Sequence, residues 1–134
     1  MPPLFRDEEA REWLAIAARD LRVSELALGD SPPLIREALY HAQQAAEKAL
    51  KAFLIWHGRP YPRTHDIHRL LDLCTPIDAS LDQALSDAVD LTEFAVRFRY
   101  PGEDQPAPEE ARVWLETARR VVAEVRRRIG PKHE

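Results

Sequence analysis

Residues 34–58 read LIREALYHAQQAAEKALKAFLIWHG, and this stretch decides the fold class. It lacks proline and its only glycine is the last residue, Gly58, which is typical of a long helix that ends there. On a helical wheel, Leu39, Leu50 and Phe53 belong to the bulky edge of an apolar arc, beside a stripe of alanines. The stripe consists of Ala38, Ala42, Ala45, Ala49 and Ala52. An arc this wide predicts the central helix of a bundle, in contact with at least two neighbours.

The same periodicity and the proline-rich breaks predict five helices in all. Their expected bounds are an Asp7 cap to about Gly29, Leu34 to Trp56, a Thr64 cap to Leu73, about Asp78 to Phe98, and about Pro108 to Ile129. Between the last two helices, YPGEDQPAPEE predicts a flexible loop at about 101–107. We therefore expect an all-α fold: an up-and-down bundle of four principal helices plus one short helix, forming a single domain over 1–134 with its core at about 7–129.

Composition excludes several classes of protein. With 45% hydrophobic and 31% charged residues, the 134-residue chain has the composition of a globular domain. The single cysteine, Cys74, excludes an internal disulfide and a cysteine-rich zinc site, and we interpret it as a helix-end core residue. No apolar run approaches the ~20 residues of a membrane span, so we expect a cytoplasmic protein without membrane association. No glycine-rich phosphate loop, nucleophile elbow or zinc-protease helix is present, which excludes the commonest enzyme classes recognisable by motif. We expect no cofactor.

The formal net charge of −4 means that any phosphate binding must come from a local basic patch. The best candidate lies in FAVRFRYPGED, residues 94–104, where a predicted helix gives way to a loop. Arg97 and Arg99 could grip a phosphate with their guanidinium groups, and Tyr100 could stack or donate a hydrogen bond. Alternatively, the two arginines pair with the acidic residues that flank them in sequence.

Polar residues on the second and third helices offer weaker candidates. Glu37, His41, Gln44 and Lys48 follow one another at spacings of four, three and four, so they could line a cleft or form a solvated flank. His65 stands three residues before His68, a spacing that two metal ligands on one helix could have. No second acidic or histidine pair matches it, and the surrounding THD sequence is equally typical of a helix start, so no metal site is expected.

Three segments together resemble the HEPN family of helical proteins. They are YHAQQAAEKALKAFLIWHG at 40–58, THDIHRLLDLC at 64–74 and LTEFAVRFRYPGED at 91–104, and the resemblance extends from roughly Asp7 to Val125. It implies an all-α bundle that forms homodimers. Such proteins are often encoded beside a minimal nucleotidyltransferase, in toxin-antitoxin or defence-related pairs.

Many HEPN members are metal-independent ribonucleases, and this resemblance raises the same possibility here. Their signature is Arg, four to six residues and then His, near the end of the helix that corresponds to the fourth one in this chain. Neither Arg97 nor Arg99 is followed by His at that distance, and the Arg59 to His65 string of matching length spans a connector instead. His41 and His65 remain weak candidates for a catalytic base.

The sequence thus predicts a protein that binds nucleotide or RNA phosphate and acts with a nucleotidyltransferase partner. The expected binding residues are Arg97, Arg99, Tyr100, Gln44 and Lys48. Two alternatives stay open: a metal-independent ribonuclease and a non-catalytic helical adaptor.

Overall fold

The computed structural model of the chain describes residues 3–95 and 105–129, and these residues form helices and connections without any strand. The helices are α1 (Pro3–Gly29), α2 (Ile35–Trp56), α3 (Ile67–Cys74), α4 (Ser80–Leu85), the 3-10 helix η1 (Ser86–Ala95) and α5 (Pro108–Ile129). The predicted all-α fold is confirmed. Within the described ranges, no helix combines the length and apolar character needed to cross a bilayer.

Helix α2 is the centre of the bundle. Every residue from Ala42 to Ile55 except Lys48 is buried, and α2 contacts α1, α3, η1 and α5. Helix α1 runs antiparallel to it, as shown by the Ser24 hydroxyl, which donates to the Ala38 carbonyl over 2.8 Å, and by the ion pair between Asp20 and Lys48 further along. The alanine stripe is buried inside the chain, where its small side chains face neighbouring helices.

Two predicted helix starts differ from the structure. Helix α1 begins at Pro3 rather than at an Asp7 cap, since proline is well tolerated in a first turn. Helix α3 is capped by Asp66, whose carboxylate accepts from the backbone N–H groups of His68 and Arg69, whereas the Thr64 hydroxyl accepts from the Asp66 N–H. The cap is thus two residues later than predicted.

The predicted fourth helix is also different, because it is not one continuous α-helix. A single α-helical segment, α4, is followed by the tighter 3-10 helix η1. The η1 sequence SDAVDLTEFA contains serine, threonine and two aspartates, whose side chains compete for backbone hydrogen bonds and weaken an α-helix. Residues 96–98 of the predicted helix and 101–104 of the predicted loop lie outside the described residues.

Cys74 is a core residue at the end of α3, as the sequence predicts. Its thiol is buried, and its Sγ lies 3.9 Å from the Leu50 carbonyl oxygen of α2. Burial raises the pKa of the Cys74 thiol to about 12, so the thiol stays protonated at neutral pH.

Candidate functional site

Two clusters of polar side chains lie against α2. The Glu47 cluster consists of Gln43, Gln44, Glu47 and Lys51 on α2 together with His65 from the connection before α3. The Asp20 cluster consists of Asp20 on α1 with His41 and Lys48 on α2. Both clusters join α2 to a neighbouring segment by hydrogen bonds with charged partners.

A buried carboxylate organises the Glu47 cluster. Lys51 Nζ donates to Glu47 Oε2 over 2.7 Å, and Glu47 Oε1 lies 2.9 Å from His65 Nδ1 and 3.1 Å from Gln43 Nε2. The Glu47 side chain is only 4% exposed. Burial raises the pKa of the Glu47 carboxyl, but hydrogen bonds from Lys51, His65 and Gln43 outweigh this effect and hold the pKa below its ordinary value of 4.5. Glu47 is therefore ionised at neutral pH.

His65 is the member of this cluster that reaches solvent. Its side chain is 57% exposed, although its Nδ1 is held by Glu47, and its backbone carbonyl accepts from Gln43 Nε2 over 3.1 Å. An ionised carboxylate only accepts hydrogen bonds, so His65 Nδ1–H donates the hydrogen bond to Glu47. With Nδ1 held in this way, Nε2 can accept a proton in the neutral ring, as a general base does, whereas in the protonated ring Nε2–H can donate to a phosphate oxygen.

Lys51 is enclosed by aromatic rings as well as by Glu47. Its Nζ lies 5.9 Å from the Trp13 ring centroid and 5.5 Å from the Tyr61 ring centroid. The two rings meet edge to face with their centroids 5.5 Å apart. Because its side chain is only 8% exposed, Lys51 serves as the counter-ion of Glu47 rather than as a contact for a ligand in solvent.

In the Asp20 cluster, both contacts of the carboxylate are 2.8 Å long. His41 Nδ1 lies at that distance from Oδ1, and Lys48 Nζ donates to Oδ2. The side chains of His41 and Lys48 are 31% and 22% exposed, less than that of His65. This cluster therefore ties α1 to α2 and presents less imidazole surface to solvent than the Glu47 cluster does.

The predicted binding residues that the structure describes belong to two different clusters. Arg97, Arg99 and Tyr100 lie outside the described residues. Gln44 is buried and donates to the Gln43 side-chain oxygen over 2.8 Å, whereas Lys48 pairs with Asp20. The polar row expected on α2 is therefore divided: His41 and Lys48 belong to the Asp20 cluster and Gln44 to the Glu47 cluster. Glu37 is exposed and belongs to neither.

Sequence reasoning missed the burial of Gln43, Glu47 and Lys51. These residues are spaced four apart, and a helical wheel assigns them to a polar flank. Alanines stand beside each of them in sequence, and alanine lets neighbouring segments approach closely enough to cover polar side chains. This alanine-rich setting was the available signal.

The histidines that a metal site would combine bind different carboxylates. His65 contacts Glu47, whereas His68 Nε2 lies 3.7 Å from the Asp72 carboxylate. In the part of the chain that the structure describes, no group of three or more His, Cys, Asp or Glu residues is arranged to hold a metal ion.

Comparisons with a family model and with solved structures give matches, whereas the comparison with curated proteins does not. The family model for the HEPN domain matches residues 10–128. The crystal structure of TT1696 from Thermus thermophilus is similar to this chain, with a TM-score of 0.74 and 30% sequence identity over 88% of this chain and 96% of that one. A comparison with curated proteins finds no match.

Replacing Glu47 tests the role of the buried carboxylate. Glu47→Gln leaves Lys51 buried without its counter-ion, so we expect the free energy of unfolding at pH 7 to fall by about 3 kcal/mol. The folded-state pKa lies below 4.5, so the carboxylate's contribution is complete above that value and is lost as the pH falls through the folded-state pKa. Urea unfolding at pH 7 and at successively lower pH should therefore show a shrinking difference between wild type and variant.

Glu12→Gln is the matched control, because Glu12 is exposed on α1. It should change the free energy of unfolding by less than about 0.5 kcal/mol. A loss at Glu47 no larger than at Glu12, or one that stays constant at acid pH, would contradict this account of the cluster.

Proposed function

The chain belongs to the HEPN family, and from this premise we propose that it binds nucleotide or RNA phosphate beside His65. The observation that supports this most directly is the exposed His65 imidazole held by the buried carboxylate of Glu47. A ring fixed through Nδ1 loses less orientational freedom when Nε2–H of the protonated ring donates to a phosphate oxygen, so binding costs less entropy.

Two exposed arginines stand close to His65 in sequence. Arg63 lies two residues before it and Arg69 four residues after it, on α3. Within residues 3–95 and 105–129, neither arginine side chain makes a hydrogen bond or an ion pair. Their guanidinium groups are therefore available for a phosphate, which supports a local basic patch on a chain of net charge −4.

We assign the remaining phosphate contacts to Arg97, Arg99 and Tyr100. The support comes from the 3-10 helix before them. The Thr92 hydroxyl of η1 accepts a hydrogen bond of 2.9 Å from the backbone N–H of Ile67, which is two residues after His65. Thr92 precedes Arg97 by five positions in sequence. In this proposal Gln44 and Lys48 stabilise the two clusters: Gln44 donates a hydrogen bond to Gln43, and Lys48 donates one to Asp20.

The proposal includes a protein partner. Following the family resemblance, the chain acts as a homodimer with a minimal nucleotidyltransferase, in a toxin-antitoxin or defence-like pair. A nucleotidyltransferase gene beside the gene for this chain would support the pairing. Copurification of the two products after coexpression would establish it, and separate elution would argue against it.

Calorimetry tests the phosphate site. Titrating ATP, GTP and a short RNA into wild type, His65→Ala and the double variant Arg97→Ala/Arg99→Ala should show weaker binding by both variants, roughly tenfold for each charge-assisted hydrogen bond removed. The double variant Arg19→Ala/Arg22→Ala, at exposed positions of α1, is the matched control and should bind as wild type does. Equal binding by all four proteins, or none by the wild type, would overturn the site.

The pairing of His65 with Glu47 also favours a second candidate function, a metal-independent ribonuclease. In such a reaction the neutral imidazole takes the proton of a ribose 2′-hydroxyl through Nε2, and an arginine such as Arg99 stabilises the charge that develops on phosphorus. His41 is the comparison, because it makes the same type of contact with Asp20 but is less exposed.

If the chain cleaves RNA, EDTA-treated protein should do so, and His65→Gln should abolish the cleavage. Because Nε2 of His41 is less accessible, His41→Gln should retain more activity than His65→Gln. Gel analysis of structured and single-stranded RNA against a buffer control measures both effects. Wild-type cleavage no greater than the control would exclude the ribonuclease.

Assembly into a homodimer is the last part of the proposal. The alanine stripe is buried within the chain, so it does not supply an interface. Exposed apolar side chains on α1 and α5 are better candidates, since Leu26 is 63% and Val113 62% exposed.

Light scattering at micromolar concentration should give a mass twice the 15.4 kDa of one chain. Leu26→Glu should shift this mass toward that of one chain, because a charge would be buried in the interface. A wild-type mass of one chain would contradict the dimer, and a dimer unaffected by Leu26→Glu would contradict its placement.

A further inference from the structure

A cavity of about 650 Å³ lies where the first turns of α1 meet the chain that leaves α2. Its walls include Arg6 and Glu9 from α1, and Arg59 and Tyr61 from the connection after α2. The volume falls within the range of roughly 300–1,000 Å³ that small-molecule sites occupy. None of the lining residues belongs to the site proposed beside His65.

Gly58 lets Arg6 enter this cavity wall. Its φ of +72° lies in the left-handed region that favours glycine, and a Cβ at this position would collide with Arg6 Nη1. The Arg6 guanidinium therefore packs where any other residue would place its side chain. Arg6 Nε is buried and lacks a hydrogen-bond partner among the described residues. Among the described residues, Arg6 Nε therefore has no protein partner that an anion held by this guanidinium would have to displace.

The cavity has an excess of positive charge. Arg59 is exposed, and in the described ranges its side chain makes no hydrogen bond or ion pair; Glu9 is the single carboxylate among the lining residues. The neighbouring His57 responds to both arginines: burial lowers its pKa, and the charges of Arg59 and Arg6 lower it further, against an opposing effect of Asp78. Both guanidinium groups therefore contribute to one local positive field.

The other part of the cavity wall is apolar and aromatic. It is formed by Ile55, Pro60 and Tyr61. Tyr61 is held by its edge-to-face contact with Trp13 and by the nearby Lys51 ammonium. A fixed aromatic ring beside aliphatic side chains suits a flat heterocycle, whereas the two guanidinium groups suit a doubly charged anion.

We propose that this cavity binds an organic phosphate monoester with a flat ring, of nucleotide size. Arg6 and Arg59 hold the phosphate, and Tyr61 with Ile55 contacts the ring. A free nucleoside monophosphate and the 5′-phosphorylated end of an RNA share this chemistry. The inference goes beyond the phosphate site beside His65 and rests on different residues.

Calorimetry with AMP on the full chain tests the cavity. Wild type should bind AMP more tightly than adenosine or inorganic phosphate, because only AMP engages both parts of the wall. Arg59→Gln and Arg6→Gln should each weaken AMP binding roughly tenfold or more. Arg22→Gln, at an exposed position of α1 outside the cavity, is the matched control and should bind as wild type does. Circular dichroism and the urea midpoint verify that each variant is folded.

Short RNAs with a 5′-phosphate or a 5′-hydroxyl identify the source of the ligand. Tighter binding of the phosphorylated RNA than of AMP, lost in Arg59→Gln, would assign the cavity to RNA ends, and the reverse order would assign it to free nucleotides. The proposal is overturned if wild type does not bind AMP, if adenosine or phosphate binds as tightly, or if both arginine variants bind like wild type. AMP binding should persist in Arg97→Ala/Arg99→Ala, which separates failure of this cavity from failure of the site beside His65.

Discussion

The buried carboxylate of Glu47 imposes the strongest constraint on this bundle. A negative charge at 4% exposure is tolerable only with donors close at hand, and three lie within 3.1 Å of it, from Lys51, His65 and Gln43. Two of these lie on α2 itself, one turn before and one turn after Glu47. The third lies on the connection after α2, so this charge ties the connection to α2.

Fixing the connection also positions the aromatic residues around it. Lys51, drawn to Glu47, lies near the rings of Trp13 and Tyr61, which bring α1 and the connection together. Tyr61 thus faces two regions: the Glu47 cluster on one side and the cavity lined by Arg6 on the other. The Glu47 cluster and the basic cavity are therefore linked through the Tyr61 ring.

Sequence periodicity predicted α2 almost residue by residue, since its ends are marked by Pro33 and Gly58 and its interior contains no helix breaker. It failed after Leu85, where the chain forms a 3-10 helix that contains a serine, a threonine and two aspartates, residues of low helix propensity. The family was also recognisable from the sequence. The burial of Glu47 was not, because a helical wheel shows which residues share a face but not whether a connection folds back over that face.

Burial also decides which polar side chains of the Glu47 cluster can contact a ligand. Lys51 and Gln44 satisfy other buried groups, and releasing either would leave an unpaired charge or donor in the core. His65 bears no such cost, because one of its nitrogens satisfies Glu47 while most of the ring remains in solvent. A chain with net charge −4 cannot attract phosphate through its overall field, so binding depends on groups of this kind. They are cations and imidazoles at the surface whose orientation is set by partners that stay buried.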